Sequence, residues 1–493
     1  MASNETVPAL RNRITSLDQF RGYTMAGMFL VNYMGGTDAF PDILKHHHNF
    51  FSYSDSIMPH FLFAVGFSMR LTFGRRVHDQ GVVSAYGRML RRLLGLALAA
   101  MCIHGVGKYE TWDKLYYPDV EWWRNIWYVL HDPLKRDWTQ TLGQIAVTSL
   151  WILPVLRTHV IIRIIWMLLS MAAHVYLSHD AHIFDGIFET LSQNGAFLWV
   201  NGGRYGELGS GVDGGSFGFL TWSIPAIMGT ITCDAIVGTP GRPKLGQLAI
   251  WSILLMGAAY VISCGTRLYD VPAATTQEWL AERTAIAELA KANEKEPDEA
   301  KKKEVAADLA RRNRELNANK FPADPVWPDK SRWEGKKYTD LLAEPPLIGR
   351  PPNPERDQAL ASIDHKNDRQ ETRREKKNFP SDWYYRQWNY WMMSQRGGTI
   401  SYPLFGAGFS ILVYLLFYIV CDKMGLSLFV FRTFGVNALL GYVLQGIIGG
   451  SLVQQFLAKD PPDWYAWANF GVYFFMMWLF LRFFEKNKIF IRM

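Results

Sequence analysis

The chain has 493 residues, of which 49% are hydrophobic, 14% aromatic and 20% charged, and its formal net charge is +7. These averages would suit a large soluble protein, but the apolar residues are bunched into long runs and the dense charge falls between about Arg267 and Arg396. A helix needs roughly 20 apolar residues to cross a bilayer, and the runs supply them. The pattern predicts a polytopic membrane protein with one large polar insert. Basic residues beside membrane spans explain the positive charge, so no nucleic acid partner is expected.

In chain order, the apolar runs predict an all-α membrane bundle of about ten transmembrane helices. They cover approximately residues 19–36, 56–73, 92–108, 141–157, 161–178, 217–237, 246–264, 402–421, 432–450 and 465–483. Segment 183–200 carries Asp185 and Glu189 and is interpreted as interfacial or re-entrant, with an eleventh span as the alternative.

The polar insert divides the predicted protein into three parts: a transmembrane core over 1–264, the insert over 265–401, and helices completing the core over 402–493. The first half of the insert has the composition of solvated helices, broken near Pro297. The second half is rich in proline and tryptophan, which favours an aromatic belt near the membrane or a sugar-stacking surface. Its tryptophans are Trp327, Trp333, Trp383, Trp388 and Trp391.

Three basic clusters orient the bundle. They are Arg11, Arg13 and Arg21; Arg70, Arg75, Arg76, Arg88, Arg91 and Arg92; and Lys486, Lys488 and Arg492. With ten spans all three clusters share one face, which the positive-inside rule makes cytoplasmic. Both termini are therefore expected in the cytoplasm of a multi-pass inner or plasma membrane protein, with loop 37–55 and the insert outside. No cleavable signal peptide is expected.

The first predicted helix opens with SLDQFRG, where Ser16 and Gln19 have the spacing of a capping box. Asp18 falls in the first turn, where the helix dipole favours a negative charge. Arg21 lies one turn further on and can pair with Asp18, which gives both residues a structural role. Asn32, near the outer end of this helix, serves either packing or chemistry.

Three adjacent histidines, His46, His47 and His48, precede the second predicted helix, which Ser54 is expected to cap. Asp55 is either a helix-start residue or the carboxylate that orients one imidazole as a base. An incidental polar loop is the alternative. A metal site is not expected, because adjacent histidines in an extended loop cannot all face one ion and no HExxH pair is present.

Two stretches of the chain resemble a known family. RITSLDQFRGYTMAGMFLVNYMGG and HHHNFFSYSDSIMPHFLFAVGFSMR resemble the N-terminal signature of the transmembrane acetyltransferases typified by heparan-alpha-glucosaminide N-acetyltransferase. The pattern is roughly S-x-D-x-F-R-G, V-N-x-x-G, a loop His and D-x-x-x-P-x-F-x-F-x-x-G-x-S. The fitting residues are Ser16, Asp18, Phe20, Arg21, Gly22, Val31, Asn32, Gly35, Asp55, Pro59, Phe61, Phe63, Gly66 and Ser68. The resemblance covers about residues 13–76 and weakens beyond them.

The loop over residues 37–55, called here the histidine loop, and the insert depart from this family's pattern. The family's loop usually reads H-x-x-W-N-G, whereas here three histidines precede Asn49 without a tryptophan. The family's catalytic histidine therefore maps onto His46, His47 or His48. The insert is also much longer than the family's usual connection, which leaves the acceptor open.

The resemblance implies a membrane-bound acyltransferase that moves an acetyl group from cytoplasmic acetyl-CoA to an amine or hydroxyl of an extracytoplasmic saccharide. A loop histidine would deprotonate the acceptor or carry the acyl group, and Asp55 would orient it. Asn32 and Asn437 would bind the thioester oxygen or the pantetheine arm. Arg70, Arg75 and Arg76 would either bind the CoA phosphates or only set the orientation of the protein in the membrane.

Two other classes of function remain open at this point. A transporter or flippase would use the intramembrane polar residues as a substrate path. An inactive scaffold would only present the insert. The expected partners are the lipid bilayer and a saccharide, and a homodimer is one assembly left open.

Overall fold

The computed structural model describes residues 14–37, 39–47, 49–104, 121–123, 126, 141–179, 214, 217–238, 243–270, 273–318, 334–349, 389–395, 397–453 and 462–490. Thirteen α-helices lie within these ranges, so the all-α prediction is confirmed. They are α1 Thr15–Met34, α2 Tyr53–Gln80, α3 Val82–His104, α4 Thr141–Ile152, α5 Val160–His179, α6 Gly218–Val237, α7 Leu245–Cys264, α8 Ala273–Glu294, α9 Glu299–Ala318, α10 Ser401–Phe417, α11 Phe429–Val436, α12 Ala438–Gly446 and α13 Asp463–Lys486.

The fold is that of a polytopic helical membrane protein, with fewer clear spans than the sequence predicted. Within the described ranges, 5 helices are long and apolar enough to cross a membrane, namely α5, α6, α7, α10 and α13 with short extensions. A sixth span forms if α11 and α12, bent by 87° at their junction, count as one. The other predicted spans coincide with α1 to α4, which are too polar or too short for this criterion.

The polar content of α2 has a structural explanation, because its polar residues face the protein interior. Ser54, Asp55 and His60 are 2%, 1% and 0% exposed, although they lie in or at the mouth of a predicted span. The Nδ1 atom of His60 lies 2.7 Å from Ser410 Oγ on α10. Buried polar side chains inside a membrane bundle are costly, so their presence on one helix makes α2 a candidate for carrying a functional site.

Glycines allow α2 and α6 to pack backbone against backbone. A Cβ on Gly66 would lie 1.9 Å from the carbonyl oxygen of Ala226, and one on Gly229 would lie 2.1 Å from that of Phe63. Small residues at such crossings let the two backbones approach closely, so that the helices make direct van der Waals contact. The position of Gly66 in the sequence motif therefore has a packing cause.

The same device joins α1 to α11. A Cβ on Gly22 would lie 1.7 Å from the carbonyl oxygen of Phe431, and one on Gly435 would lie 2.1 Å from that of Asp18. Asp18 lies in the first turn of α1, as predicted. Its pairing with Arg21, one turn further on, stays a prediction.

The capping box predicted for α1 is wrong. The N-cap of α1 is Ile14, which makes no side-chain capping bond. The Ser16 hydroxyl instead donates to the Asp422 carboxylate at 2.5 Å. Gln19 exchanges two hydrogen bonds with the backbone of Leu428, at 3.0 and 3.1 Å. Both side chains bridge to the connection after α10, because this end of α1 packs against that connection.

The described part of the insert begins with two helices, α8 and α9, joined side to side by the ion pair of Arg312 with Glu282 at 3.0 Å. Helix α8 ends at Glu294 and α9 begins at Glu299, so the break predicted near Pro297 is confirmed. Trp391 is 9% exposed and packs in an apolar cluster, which gives it a packing role. The other four tryptophans and segment 183–200 lie outside the described residues.

Candidate active site

His46 and Asp55 form a hydrogen-bonded pair at the N-terminal end of α2. The Nδ1 atom of His46 lies 2.8 Å from Oδ1 of Asp55, whose side chain is fully buried, whereas the His46 side chain is 42% exposed. A carboxylate that accepts from Nδ1–H fixes the imidazole in the tautomer whose Nε2 is unprotonated and can act as a base. The imidazole is therefore oriented by the protein and partly exposed to solvent.

The carboxylate of Asp55 is itself held by the start of α2. Its Oδ2 accepts from the backbone N–H of Ser52 at 3.0 Å and from the Ser52 hydroxyl at 2.9 Å. Ser52 is the N-cap of α2 and forms a capping box with Asp55. The prediction that Ser54 caps this helix is therefore wrong, because the Ser54 hydroxyl donates to the Leu44 carbonyl instead. Asp55 is thus both a helix-start residue and the partner of a histidine.

The structure distinguishes the described histidines of the loop. The ring of His47 stacks on Phe50 with the ring centroids 4.2 Å apart. Its backbone N–H, 3.4 Å from Asp55 Oδ2, also contributes to holding the carboxylate. His48 lies outside the described residues, so its role stays a prediction. Of the two described rings, only that of His46 is placed on Asp55.

Two other parts of the chain pack on this loop. The hydroxyl of Tyr402, at the start of α10, donates to the backbone carbonyl of Asp55 at 2.5 Å. Leu347 of the insert donates its N–H to the carbonyl of Phe51 at 2.7 Å and has a φ of 63°. That left-handed conformation is unfavourable for leucine and is retained where the surrounding structure imposes it. Both the insert and the C-terminal helices therefore shape the loop.

Asn49 was not among the site residues predicted from the sequence. Its side chain is 3% exposed, and neither Nδ2 nor Oδ1 has a hydrogen-bond partner. Buried amides are normally satisfied, so an unpaired one in this loop calls for an explanation. The only signal in the sequence was its place in the family's H-x-x-W-N-G pattern.

The two asparagines predicted to bind the cofactor lie at opposite ends of the bundle. Asn32 is exposed at the outer end of α1, where it donates to Gln445 Oε1 at 3.1 Å. Asn437 is buried at the junction of α11 and α12, and its amide lies 3.3 Å from the carbonyl of Ile489. Gly435, two residues before Asn437, packs on the first turn of α1. The two amides therefore do not come together around one thioester.

The predicted phosphate-binding arginines lie at the other end of α2 from His46. Arg70 is held by Asp234 at 2.6 Å and by the carbonyl of Leu156 at 2.8 Å, so its guanidinium already serves helix packing. Arg75 is exposed and Arg76 half-buried. Partial burial and the neighbouring charge of Arg88 lower the pKa of Arg76. These arginines make the C-terminal end of α2 locally positive, but they are remote from the histidine loop.

Among the residues described by the structure, no group of three or more His, Cys, Asp or Glu side chains is arranged to hold a metal ion.

A buried polar constellation at the mouth of an apolar bundle defines a polytopic membrane protein with a candidate catalytic site. Residues 13–201 match the family model described as heparan-alpha-glucosaminide N-acetyltransferase, catalytic, which confirms the family predicted from the motifs. This matched segment identifies a transmembrane acetyltransferase family that uses acetyl-CoA, and it implies a membrane-bound acetyltransferase. No curated protein matches the sequence. The matched segment contains α1, α2 and the whole histidine loop.

Proposed function

We propose that this protein transfers the acetyl group of acetyl-CoA to an amine or hydroxyl of a saccharide, with His46 as the general base. The observation that carries the proposal is the 2.8 Å contact of His46 Nδ1 with the buried carboxylate of Asp55, inside the segment that matches the acetyltransferase family. A base oriented in this way typically contributes 10²- to 10⁴-fold to a rate, roughly.

The reaction follows from the basicity of His46 Nε2 in the tautomer that carries its proton on Nδ1. Nε2 takes the proton of the acceptor N–H or O–H while the acceptor's lone pair attacks the thioester carbonyl carbon. The tetrahedral intermediate then collapses, the C–S bond breaks, and the proton on Nε2 passes to the departing CoA thiolate. Asp55 stabilises the imidazolium between the two transfers and keeps the ring in place.

The length of α2 limits where the acetyl donor can bind. From Asp55 to Arg76 the helix rises about 31 Å at 1.5 Å per residue. The pantetheine arm has roughly a dozen bonds between pyrophosphate and sulfur, which reach about 15 Å when extended. A thioester held at His46 thus places the pyrophosphate well short of Arg75 and Arg76. For direct transfer, the acetyl donor must therefore enter the bundle. Arg75 and Arg76 then serve only to orient the protein in the membrane.

The two ends of the bundle suit a reaction across the membrane. The basic residues Arg75, Arg76 and Lys486 lie at one end, while the histidine loop and the insert lie at the other. The positive-inside rule places the basic end in the cytoplasm, where acetyl-CoA is made. We infer that the donor enters from the cytoplasm and the acceptor approaches from outside, beside Leu347 of the insert.

A transporter is the second candidate. The 87° bend between α11 and α12 is a broken helix of the kind that transporters use at their substrate sites. The bend lies by Asn437, at the other end of α1 from the histidine loop, so it does not account for the His46–Asp55 pair. The acetyltransferase explains both the pair and the family match.

The test is acetyl transfer by purified protein in lipid nanodiscs, with isotope-labelled acetyl-CoA and a panel of amino and neutral sugars. The expected result is a labelled acetylated sugar and one equivalent of CoA per acetyl group, detected by mass spectrometry. Sugar uptake into proteoliposomes without acetyl-CoA, and no acetylated product, would favour the transporter and contradict the proposal.

A further inference from the structure

The unpaired amide of Asn49 lies inside a loop that closes on Asp55. His46 and Ser52 are each bonded to the Asp55 carboxylate, and Asn49 is the third residue from both of them. Three residues of chain span at most about 11 Å, so the Cα atom of Asn49 lies within that distance of the His46 Cα. Asn49 therefore belongs to the same short loop as the oriented imidazole.

The loop holds Asn49 in place. The two residues after it, Phe50 and Phe51, are 4% and 0% exposed. The N–H of Leu347 anchors the carbonyl of Phe51 at 2.7 Å, and Gly349 packs on the ring of Phe50. Because the two residues after it are buried and anchored, the backbone that follows Asn49 is held in place. An amide that is 3% exposed and without partners is stabilised only when a bound molecule supplies them.

The proposed reaction needs a hydrogen-bond donor beside His46. When the acceptor attacks the thioester, the carbonyl electrons move to its oxygen, and the resulting oxyanion requires a donor in a dry site. Asn437 is at the far end of α1, and the exposed amide of Asn32 already donates to Gln445. Asn49 combines proximity to His46, burial and a free N–H.

Resting on the proposed acetyltransferase function, we infer that Asn49 Nδ2 donates to the carbonyl oxygen of the acetyl thioester and stabilises the oxyanion of the tetrahedral intermediate. Asn49 transfers neither protons nor electrons in this step. The charge that gathers on the oxygen returns to the carbonyl when the C–S bond breaks, and His46 carries the only proton that moves.

The test replaces Asn49 by Leu, which keeps the volume and removes the polar atoms, and by Asp, which keeps the shape and removes the N–H. Both variants should lower kcat for acetyl transfer from acetyl-CoA to glucosamine by about 100- to 1,000-fold. KM for acetyl-CoA should change much less, because the bond strengthens as charge develops. The Asn49→Leu protein should melt at or above the wild-type temperature, since its amide makes no bond within the protein.

Asn487→Asp is the matched control: this exposed amide bonds to the Phe483 carbonyl at the far end of the bundle, and turnover should be unchanged. Wild-type turnover in Asn49→Leu overturns the inference, as does a lowered melting temperature with activity lost only in proportion to unfolding. If wild-type protein transfers no acetyl group, the proposed function and this inference fall together. If wild type is active and His46→Ala is inactive while both Asn49 variants keep full kcat, only the inference falls.

Discussion

The imidazole of His46 and the carboxylate of Asp55 lie 2.8 Å apart although the two residues are nine positions apart in the chain. The contact joins a partly exposed ring to a fully buried acid, so the orientation of the ring is set by the helix start. Ser52 completes the arrangement by capping α2 and donating twice to the same carboxylate. The stability of the helix start and the geometry of the candidate site are thereby coupled.

Replacing Asp55 by Asn should test that coupling. The amide NH₂ would face either the His46 ring or the Ser52 donors, so the imidazole would lose its tautomer and its orientation together. Acetyl transfer is expected to fall by about 100-fold or more while remaining above that of a protein without the base. Asp79→Asn, an exposed position at the other end of α2, is the control and should retain full turnover. A loss in Asp55→Asn that follows protein yield alone would reduce Asp55 to a structural role.

The glycine contact between α2 and α6 gives a prediction about stability. In Gly66→Ala the new methyl group would lie 1.9 Å from the Ala226 carbonyl oxygen, so the two helices must separate. We expect a lower melting temperature in detergent and less folded protein. Gly74→Ala on the same helix is the control, because nothing lies within 4 Å of its added Cβ. It should be neutral or stabilising by up to about 1 kcal/mol through helix propensity. Equal melting temperatures for the two variants would contradict the close packing.

The sequence predicted the class of fold and the His–Asp partnership because both have local signals. Long apolar runs indicate membrane helices, and an acid at a helix start close behind a histidine can reach back to it. The choice of His46 over His47 was not predictable, because it depends on the stacking of His47 against Phe50.

Other features depended on contacts that no local pattern encodes. Ser52 rather than Ser54 caps α2, because the position of the turn is fixed by burial of Phe51 and its bond to Leu347, nearly 300 residues later. Gln19 has the spacing of a capping residue but pairs with Leu428, which becomes its neighbour only in the folded bundle. The unpaired amide of Asn49 is likewise visible only once the loop is closed.

The arginines at the C-terminal end of α2 provide a test of where the acetyl donor binds. Since a thioester at His46 leaves the CoA pyrophosphate short of Arg75 and Arg76, the double variant Arg75→Gln/Arg76→Gln should keep its KM for acetyl-CoA within about twofold. Its effect should appear instead in the fraction of protein inserted with the correct orientation. A KM that rises about tenfold, and that added salt raises similarly in wild type, would show that these arginines bind the CoA phosphates.

The orientation of the bundle can be measured by cysteine labelling of intact cells. Ile43, in the histidine loop, is 38% exposed and Leu426, between α10 and α11, is 56% exposed. A membrane-impermeant maleimide should label Ile43→Cys from outside and label Leu426→Cys only after the cells are opened, with the unmodified protein as background. The reverse pattern would place the His46–Asp55 site in the cytoplasm.

The central claim, that His46 is the base of an acetyltransferase, is tested most directly by comparing His46→Ala with His47→Ala. Both variants remove an imidazole from the same loop, but His47→Ala keeps the backbone N–H that lies 3.4 Å from Asp55 Oδ2. The measurement is single-turnover transfer of labelled acetyl from acetyl-CoA to an amino sugar by correctly folded protein. The account predicts loss of transfer by at least about 100-fold in His46→Ala and at most a few-fold change in His47→Ala. Equal turnover in His46→Ala and wild type would contradict it.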